Sequence, residues 1–244
     1  MELTTDDVQK ISTHLDAAVI CGISRLVFTQ HHAYGISDNH TACIVSPCEL
    51  SIPKAVSIGI GSIPDFNKRF SNYQGSAVVE LDVRADNKTK SILFRTKKSK
   101  MTYKCMDFTK IQYPKSVNDN DIGSFEITSD EAVEIKKAIS IMLKPEYLYI
   151  SISSKGEVAI KIQDQNNDVF EIFLSCTFTP FDEHDTITYS NKFDCKGPFM
   201  TSMQEFIKSG DRIGFIVTES GNIKAVFDSM VEVYLIPSIT ADDD

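Results

Sequence analysis

The sequence predicts an α+β fold in which one arrangement of helices and antiparallel strands occurs twice. Each half of the 244-residue chain contains two segments with helical hydrophobic periodicity. Each of these segments is followed by short alternating segments that are typical of antiparallel strands. The composition, 42% hydrophobic and 24% charged, is ordinary for a globular protein and sufficient for two domains. A duplication of this length has to be recognised before any single motif is interpreted.

The repeated order is clearest in the second half. A strand is predicted over residues 124–128, followed by a helix with Ser129 as its N-cap and acidic residues in its first turn. Pro145 ends this helix. Three strands follow, predicted over residues 147–153, 157–163 and 169–177. The same order then occurs again. A strand is predicted over residues 186–193, a helix begins at Pro198, and three strands are predicted over residues 212–219, 222–228 and 230–236.

The first half follows the same order less regularly. An amphipathic helix is predicted over residues 4–18, and a second helix begins at Ser62 and Pro64. Strands are predicted over residues 25–30, 32–36, 41–45, 49–60, 77–83, 91–96 and 101–106. The next stretch is polar and contains Pro114, which favours a linker. The predicted domains are therefore 1–106 and 124–244, connected by 107–123.

Charge is distributed unevenly between the halves. Residues 1–118 carry 15 Lys/Arg and 11 Asp/Glu, whereas residues 119–244 carry 10 and 23. Ten of the basic residues lie in the run from Arg84 to Lys115. Lysines on an edge strand often only prevent unwanted pairing. In a head-to-tail assembly, however, this basic edge would meet the acidic second half of a neighbouring chain.

Several function classes find no support in the sequence. No apolar stretch is long enough for a membrane helix, and the polar N-terminus is not a signal peptide. Six scattered cysteines without a Cys-x-x-Cys motif predict reduced thiols in a cytoplasmic protein. His40-x-x-Cys43 has a ligand-like spacing, but a closed zinc site needs four ligands, so no metal is expected. No catalytic motif or phosphate-binding loop is complete, so neither a cofactor nor an enzyme is predicted.

The C-terminal strand reads Val231-Glu232-Val233-Tyr234-Leu235-Ile236-Pro237-Ser238 and is followed by Asp242-Asp243-Asp244. The chain resembles sliding clamps of the proliferating-cell-nuclear-antigen and tailed-phage type. The resemblance rests on this strand, on the order of elements over nearly the whole chain, and on Ser129-Asp130-Glu131 before the Ser154-Lys155-Gly156 turn. The resemblance implies a duplicated DNA-clamp fold, with antiparallel sheets outside and two helices per domain on the inner face. Two features depart from it: the N-terminal strand is reduced to residues 1–3, and the His/Cys-rich stretch from His31 to Cys48 is unfamiliar.

The same resemblance implies a sliding clamp, a processivity factor in DNA replication. Its subunits, expected to form a homotrimer, encircle duplex DNA without sequence specificity and tether the replicative DNA polymerase. A separate clamp-loader ATPase would open the ring. The chain would then be a viral protein of the host cytoplasm or its cellular counterpart.

Basic residues opposite the apolar stripe of each helix are the candidates for DNA contact, since a clamp channel attracts phosphates without reading bases. The candidates are Lys10, Lys68, Arg69, Lys136, Lys137, Lys144 and Lys208. For any one of them taken alone, an ordinary solvated helix face is the better interpretation.

Two further surfaces are predicted. By resemblance, partners insert an aromatic–aliphatic plug into a groove beneath the linker, and the apolar linker residues support this. The alternative, which is compatible with the first, is that these residues pin the linker to the sheet. The groove candidates are Ile44, Val45, Phe108, Ile111, Tyr113, Pro114, Tyr234, Ile236 and Pro237. The subunit-interface candidates are Met101, Tyr103 and Cys105 on one edge strand and Val169, Glu171 and Phe173 on another.

Two alternatives stay open at this point. One is a clamp-fold protein that does not encircle DNA, such as a viral transcription or structural factor. The other is an unrelated β-rich interaction module, with or without zinc.

Overall fold

The computed structural model describes residues 1–73, 77–114, 117, 119–182, 187–209, 213–227 and 231–238. For residues 204–209 and 213 it describes the backbone only. The chain divides into two compact units, Met1–Val117 (unit 1) and Asn118–Asp244 (unit 2).

The described part of unit 1 contains two helices and seven strands. They are α1 (Thr5–Ile20), β1 (Leu26–Phe28), β2 (His32–Ile36), β3 (Ala42–Pro47), β4 (Ile58–Ile60), α2 (Ile63–Phe70), β5 (Val78–Val83), β6 (Thr89–Arg95) and β7 (Lys100–Lys104). Single-turn 3-10 helices occupy Ser71–Tyr73 and Phe108–Lys110. The strands form antiparallel sheets in the orders β4-β1-β2-β3 and β5-β6-β7.

Unit 2 contains two helices and nine strands within its described residues. They are β8 (Asp121–Ile127), α3 (Ser129–Ile141), β9 (Tyr147–Ile152), β10 (Glu157–Gln163), β11 (Val169–Thr177), β12 (Thr179–Pro180), β13 (Tyr189–Asp194), α4 (Pro198–Ser209), β14 (Ile213–Thr218), β15 (Ile223–Val226) and β16 (Glu232–Leu235). The antiparallel sheets have the orders β13-β9-β10-β11 and β12-β8-β14-β15-β16.

The two units repeat one arrangement of elements, which confirms the predicted duplication. In unit 1 a helix leads into β1, β2 and β3, and in unit 2 a helix leads into β9, β10 and β11. Each unit then has a strand (β4 or β13), a second helix and three more strands, and unit 2 has the two-residue β12 in addition before β13. Even the short N-terminus of unit 1 has its counterpart, because Glu2 bridges to Glu80 on β5 much as β8 pairs with β14.

The helices form because their apolar positions share one face that packs on the sheets. In α2 the buried side chains are Ile63, Phe66 and Phe70, as the periodicity predicts. Phe66 packs edge-on against Tyr103 of β7, with 4.7 Å between the ring centroids. In unit 2, Phe199 of α4 stacks on Phe215 of β14 at 5.0 Å. Such rings supply much of the buried apolar area of each core.

Several element boundaries differ from the prediction. Residues 49–60 form a strand only at Ile58–Ile60, because Pro47 ends β3 and the Val56 N–H closes a turn onto the Pro53 carbonyl at 2.8 Å. Thr128, not Ser129, is the N-cap of α3, and its hydroxyl accepts from the Glu131 N–H. The strand before α3 begins at Asp121, three residues earlier than predicted.

Candidate functional site

The second helix of unit 1 and the first helix of unit 2 each expose a pair of basic side chains. Lys68 and Arg69 lie exposed in the last turn of α2. Lys136 and Lys137 are exposed in the middle of α3. None of the four forms an ion pair with the residues that the structure describes. Their charges are therefore available to an anionic ligand.

Lys10 on α1 is engaged differently. Its ammonium lies 2.7 Å from Asp6 and donates a hydrogen bond to the Glu49 carbonyl at 2.7 Å. The hydrogen bond with Asp6 raises the pKa of Lys10. A lysine held in this way contributes less to a non-specific phosphate surface than an unpaired one.

Acidic residues share the exposed helix faces with these lysines. Asp6 and Asp16 are exposed on α1, and Asp130 and Glu134 are exposed on α3. Asp16 also accepts a hydrogen bond from the Asn67 side chain of α2 at 3.2 Å. The faces are thus closer to neutral than the basic residues alone suggest.

Two predicted DNA-contact residues do not lie on a described helix face. Lys144 follows α3, which ends at Ile141, and it has a positive φ of 52°. The predicted helix was too long, since residues 142–144 already turn toward β9. Lys208 falls in α4, but its side chain lies outside the described residues.

The strand β7 ends the three-stranded sheet of unit 1 and pairs, among the described residues, with β6 alone. Tyr103 is directed into the core, and burial raises the pKa of the Cys105 thiol to about 12. Tyr103 thus contributes its backbone rather than its side chain to this edge, whereas Met101 and Cys105 are half-buried. What this edge offers is backbone N–H and C=O groups flanked by exposed Lys100 and Lys104.

The strand β11 ends the four-stranded sheet of unit 2 and exposes alternate side chains. Val169, Glu171 and Phe173 are all exposed, and Phe173 has 69% of its surface accessible. Large exposed apolar side chains on a strand edge are typical of interaction surfaces.

Two neighbouring apolar residues were missed by the sequence analysis. Ile141 and Leu143, at the end of α3, are 72% and 52% exposed. The Leu143 N–H donates to Asp164 at 3.1 Å, and Asp164 begins the turn that leads into β11. Ile141 does not share the helical spacing of the buried Ala132, Ile135 and Ala138, and this spacing is the sequence signal that could have identified it.

The stretch after β7, residues 105–114, is called the connector of unit 1. Its 3-10 helix begins at Asp107, whose carboxylate accepts from the Thr109 N–H at 3.1 Å and pairs with Lys88 at 2.8 Å. The hydrogen bond from Lys88 holds the pKa of Asp107 well below its usual range. Lys88 also lies 5.9 Å from the ring centroid of Phe108. The connector is thereby tied to the sheet at its start.

Its other end is held by an aromatic stack. Tyr113 stacks on Tyr34 of β2 with 5.2 Å between ring centroids, and Tyr34 stacks on His32 at 5.6 Å. Burial raises the pKa of Tyr34. An open surface cavity of about 400 Å³ lies between the two fixed points and is lined by Phe108, Thr109, Ile111, Gln112 and Tyr113.

The other groove candidates divide between surface and core. Val45 is half-buried opposite Tyr34, whereas Ile44 is fully buried and belongs to the core, because alternation along β3 sends it to the other face. In unit 2, Tyr234 is buried with the Lys224 ammonium 5.4 Å from its ring centroid. Ile236 and Pro237 are half-buried, and Pro114 of the connector is likewise half-buried.

The His/Cys-rich stretch does not form a metal centre in the described part of the chain, where no three His, Cys, Asp or Glu residues converge. His31 instead pairs with Glu49 at 2.7 Å. Cys43 and Cys48 are buried, and burial raises the pKa of both thiols to about 12. Separately, none of the described helices is long and apolar enough to cross a membrane.

Comparisons with known proteins identify the fold. No protein-family model and no curated protein sequence matches the chain. The proliferating cellular nuclear antigen of Entamoeba histolytica is similar in structure, with a TM-score of 0.61, 12% identity, and coverage of 95% of this chain and 96% of that one. The PCNA of A. fulgidus, in a structure with the C-terminal region of FEN-1 bound, is also similar. Its TM-score is 0.63 and its sequence identity 15%, with coverage of 99% of this chain and 100% of that one.

The chain therefore has the sliding-clamp fold over nearly its whole length. This confirms the α+β, duplicated clamp architecture expected from the sequence. It also overturns the alternative of an unrelated β-rich module.

Proposed function

We propose that this chain is a subunit of a ring-shaped processivity factor that encircles duplex DNA and tethers a DNA polymerase. The observation that carries the proposal is the clamp fold across both units, in which β7 and β11 each end a sheet and pair on one side only among the described residues. A head-to-tail ring requires two such edges per subunit, because each interface is heterologous. Three subunits would form a homotrimer, and a separate clamp-loader ATPase would open it.

The proposed interface joins β7 of one chain to β11 of another. The β7 edge is flanked by Lys100 and Lys104, and β11 exposes Glu171 beside the apolar Phe173. Backbone pairing supplies register, the apolar side chains supply burial, and the opposite charges favour this pairing over like-with-like contacts. Ile141 and Leu143, next to the start of β11, extend the apolar part of the interface.

The proposed DNA contacts are Lys68, Arg69, Lys136 and Lys137, with Lys208 as a further candidate. Lys10 and Lys144 are weaker candidates, the first because it is paired and the second because it lies beyond the helix. A small number of phosphate contacts, whose positive charge is partly cancelled by nearby carboxylates, is suited to a protein that moves along DNA. The connector surface of unit 1 is proposed to receive a segment of the polymerase or another enzyme.

The mass in solution tests the ring. Light scattering should give three times the chain mass of 27.3 kDa, and electron microscopy of that species should show a closed ring with a central opening. A monomer at micromolar concentration would contradict the proposal.

A clamp-fold protein that does not encircle DNA is the second candidate, favoured by the acidic residues on the exposed helix faces. It predicts an assembly without a continuous ring, or a ring that does not increase the length of DNA a polymerase copies per binding event. Measuring product length on a primed circular template with and without the protein separates the two.

A further inference from the structure

Two glycines, Gly59 and Gly61, lie on either side of Ile60 at the end of β4. The Gly-x-Gly-x-x-Gly pattern of a phosphate-binding loop fails here, because Pro64 stands where the third glycine would be. Neither glycine has a positive φ, so neither is required by a left-handed backbone. A Cβ at residue 59, however, would overlap the carbonyl oxygen of Met106. Space, rather than backbone conformation, therefore requires glycine at residue 59.

The connector docks on β4 at this residue. The Met106 N–H donates to the Gly59 carbonyl at 3.0 Å, and the Met106 carbonyl lies on the side of Gly59 that a side chain would occupy. Further along the connector, the Cδ1 atom of Ile111 would lie 3.3 Å from a Cβ at residue 59. Nonbonded carbon atoms pack best at roughly 3.5–4.0 Å. Two parts of the connector thus converge on one bare Cα.

Gly59 is also the first residue of a row that the connector contacts at both ends. The strand registers place Val27 of β1 and Tyr34 of β2 beside Gly59 on one face of the sheet. Val27 and Ile111 are buried, and Tyr113 stacks on Tyr34 with 5.2 Å between the ring centroids. The position of the connector on the sheet is therefore set at Gly59 and at Tyr34.

The surface cavity of about 400 Å³ depends on that position, because the described residues that line it all belong to the connector, from Phe108 to Tyr113. We propose that Gly59 is the positioning residue of the connector surface. Its missing side chain lets the connector lie close against β4, and this gives the cavity its shape. That the cavity receives a partner segment rests on the proposed function, whereas the position of the connector can be measured on the chain alone.

The variant Gly59→Ala tests this role, and Gly61→Ala is its matched control. The first variant places a methyl group against a backbone carbonyl, which can move away only if the connector moves. In the second variant the three nearest neighbours of the new methyl group would be side-chain atoms of Met106, with Cε at 2.8 Å. A methionine side chain has three rotatable bonds and adapts to such a change.

Amide hydrogen exchange measures the position of the connector. In Gly59→Ala, exchange at Met106 and Ile111 should accelerate by roughly 5- to 150-fold, the range that overpacking by one methyl group corresponds to. The amides of β6 should keep their wild-type rates, because only the connector is displaced. Gly61→Ala should exchange at Met106 as the wild type does. Equal acceleration in the two variants, or equal acceleration throughout unit 1, would overturn the proposal.

The wild type provides a second measurement that needs no variant. Its Met106 amide, which donates to the Gly59 carbonyl, should be protected as strongly as the amides of β6. Unprotected exchange at Met106 would show that the connector is not docked on Gly59, even if Gly59→Ala fails to fold.

Product length on a primed circular template links this position to the proposed function. Gly59→Ala should shorten the products that the cognate polymerase makes with this protein, while light scattering gives the same mass as the wild type. Gly61→Ala should give the wild-type product length. If the wild type itself does not lengthen the products, the proposed function fails, and exchange at Met106 still decides the role of Gly59. If Gly59→Ala lengthens them as the wild type does despite faster exchange at Met106, the connector surface does not depend on Gly59 and the proposal is wrong.

Discussion

The carboxylate of Glu131 accepts a hydrogen bond from the backbone N–H of Ser175 at 2.6 Å, 44 residues further along the chain. Its other oxygen accepts from Thr128, so one side chain caps α3 and holds the edge strand β11. Unit 1 repeats the arrangement: Asp7 caps α1 together with Thr4 and accepts from the Ser51 N–H at 2.7 Å, also over 44 residues. The duplication thus extends to individual hydrogen bonds.

We predict that Glu131→Gln destabilises unit 2 by roughly 1–3 kcal/mol, the usual effect of weakening hydrogen bonds to a partly buried charged group. Burial alone would raise the pKa of Glu131, but the hydrogen bonds from Ser175 and Thr128 lower it below the ordinary value of 4.5. The charged form therefore stabilises the fold above about pH 4.5, and this contribution is lost as the pH falls through the lowered pKa.

Urea unfolding between pH 7 and pH 3 checks this prediction, with the Ser175 amide followed by hydrogen exchange. The wild type should lose more stability than E131Q on acidification, and Ser175 should exchange faster in the variant. Asp130→Asn, an exposed acid in the same helical turn, serves as the matched control. Equal pH dependence in wild type and E131Q would contradict the assigned role.

Both helices of each unit are predictable from the sequence, because their apolar positions and capping residues are local signals. The strand predicted over residues 49–57 was wrong, because Ile52 and Val56 are buried in an irregular segment. Burial, not pairing, accounts for their apolar character, and Pro47 and Pro53 are what prevent a longer strand.

The candidate site was harder to predict, because contact partners are set by tertiary structure. Ile44 and Val45 are adjacent and equally apolar, and only the register with β2 assigns one to the core and the other to the surface. Lys10 resembles Lys68 in sequence context, yet only Lys10 is held by Asp6. No feature of the sequence indicated that Tyr34 of β2 would stack on Tyr113.

Replacing Lys68 and Arg69 with glutamine should weaken duplex DNA binding and lower its salt dependence. Each lost phosphate contact reduces the magnitude of the slope of log affinity against log salt concentration by about 0.9. Losing two contacts should therefore make the slope shallower by about 1.8. Fluorescence anisotropy on a labelled duplex measures this slope, and the K136Q/K137Q variant should show the same reduction as the variant of Lys68 and Arg69. K97Q/K98Q removes the same charge from the exposed β6–β7 turn. If that control lowers the slope equally, the helix faces are not the contact surface.

Phe173→Glu should dissociate the assembly without unfolding the chain. The side chain is 69% exposed in the single chain, and burying a phenylalanine stabilises an interface by roughly 1.5–3 kcal/mol. Its loss should weaken each contact by about 10- to 100-fold, which sedimentation velocity would detect as monomer. Phe181→Glu is the control, because Phe181 is 55% exposed beside β12 instead of β11. An unchanged mass for F173E, or equal dissociation by F181E, argues against the β11 interface.

The stacking of Tyr113 on Tyr34 should determine how firmly the connector is held. Aromatic pairs contribute about 0.5–1.5 kcal/mol beyond their buried area, so Tyr34→Ala should speed native-state tryptic cleavage after Lys110 by roughly 2- to 13-fold. Lys110 is exposed and lies between the two fixed ends of the connector, so this bond reports its opening. Tyr34→Phe keeps the ring and should cleave as the wild type does. Tyr113→Ala should match Tyr34→Ala, and the double variant should add little, because both changes remove the same contact. If the two single effects simply add, the rings act separately and Tyr34 does not position the connector.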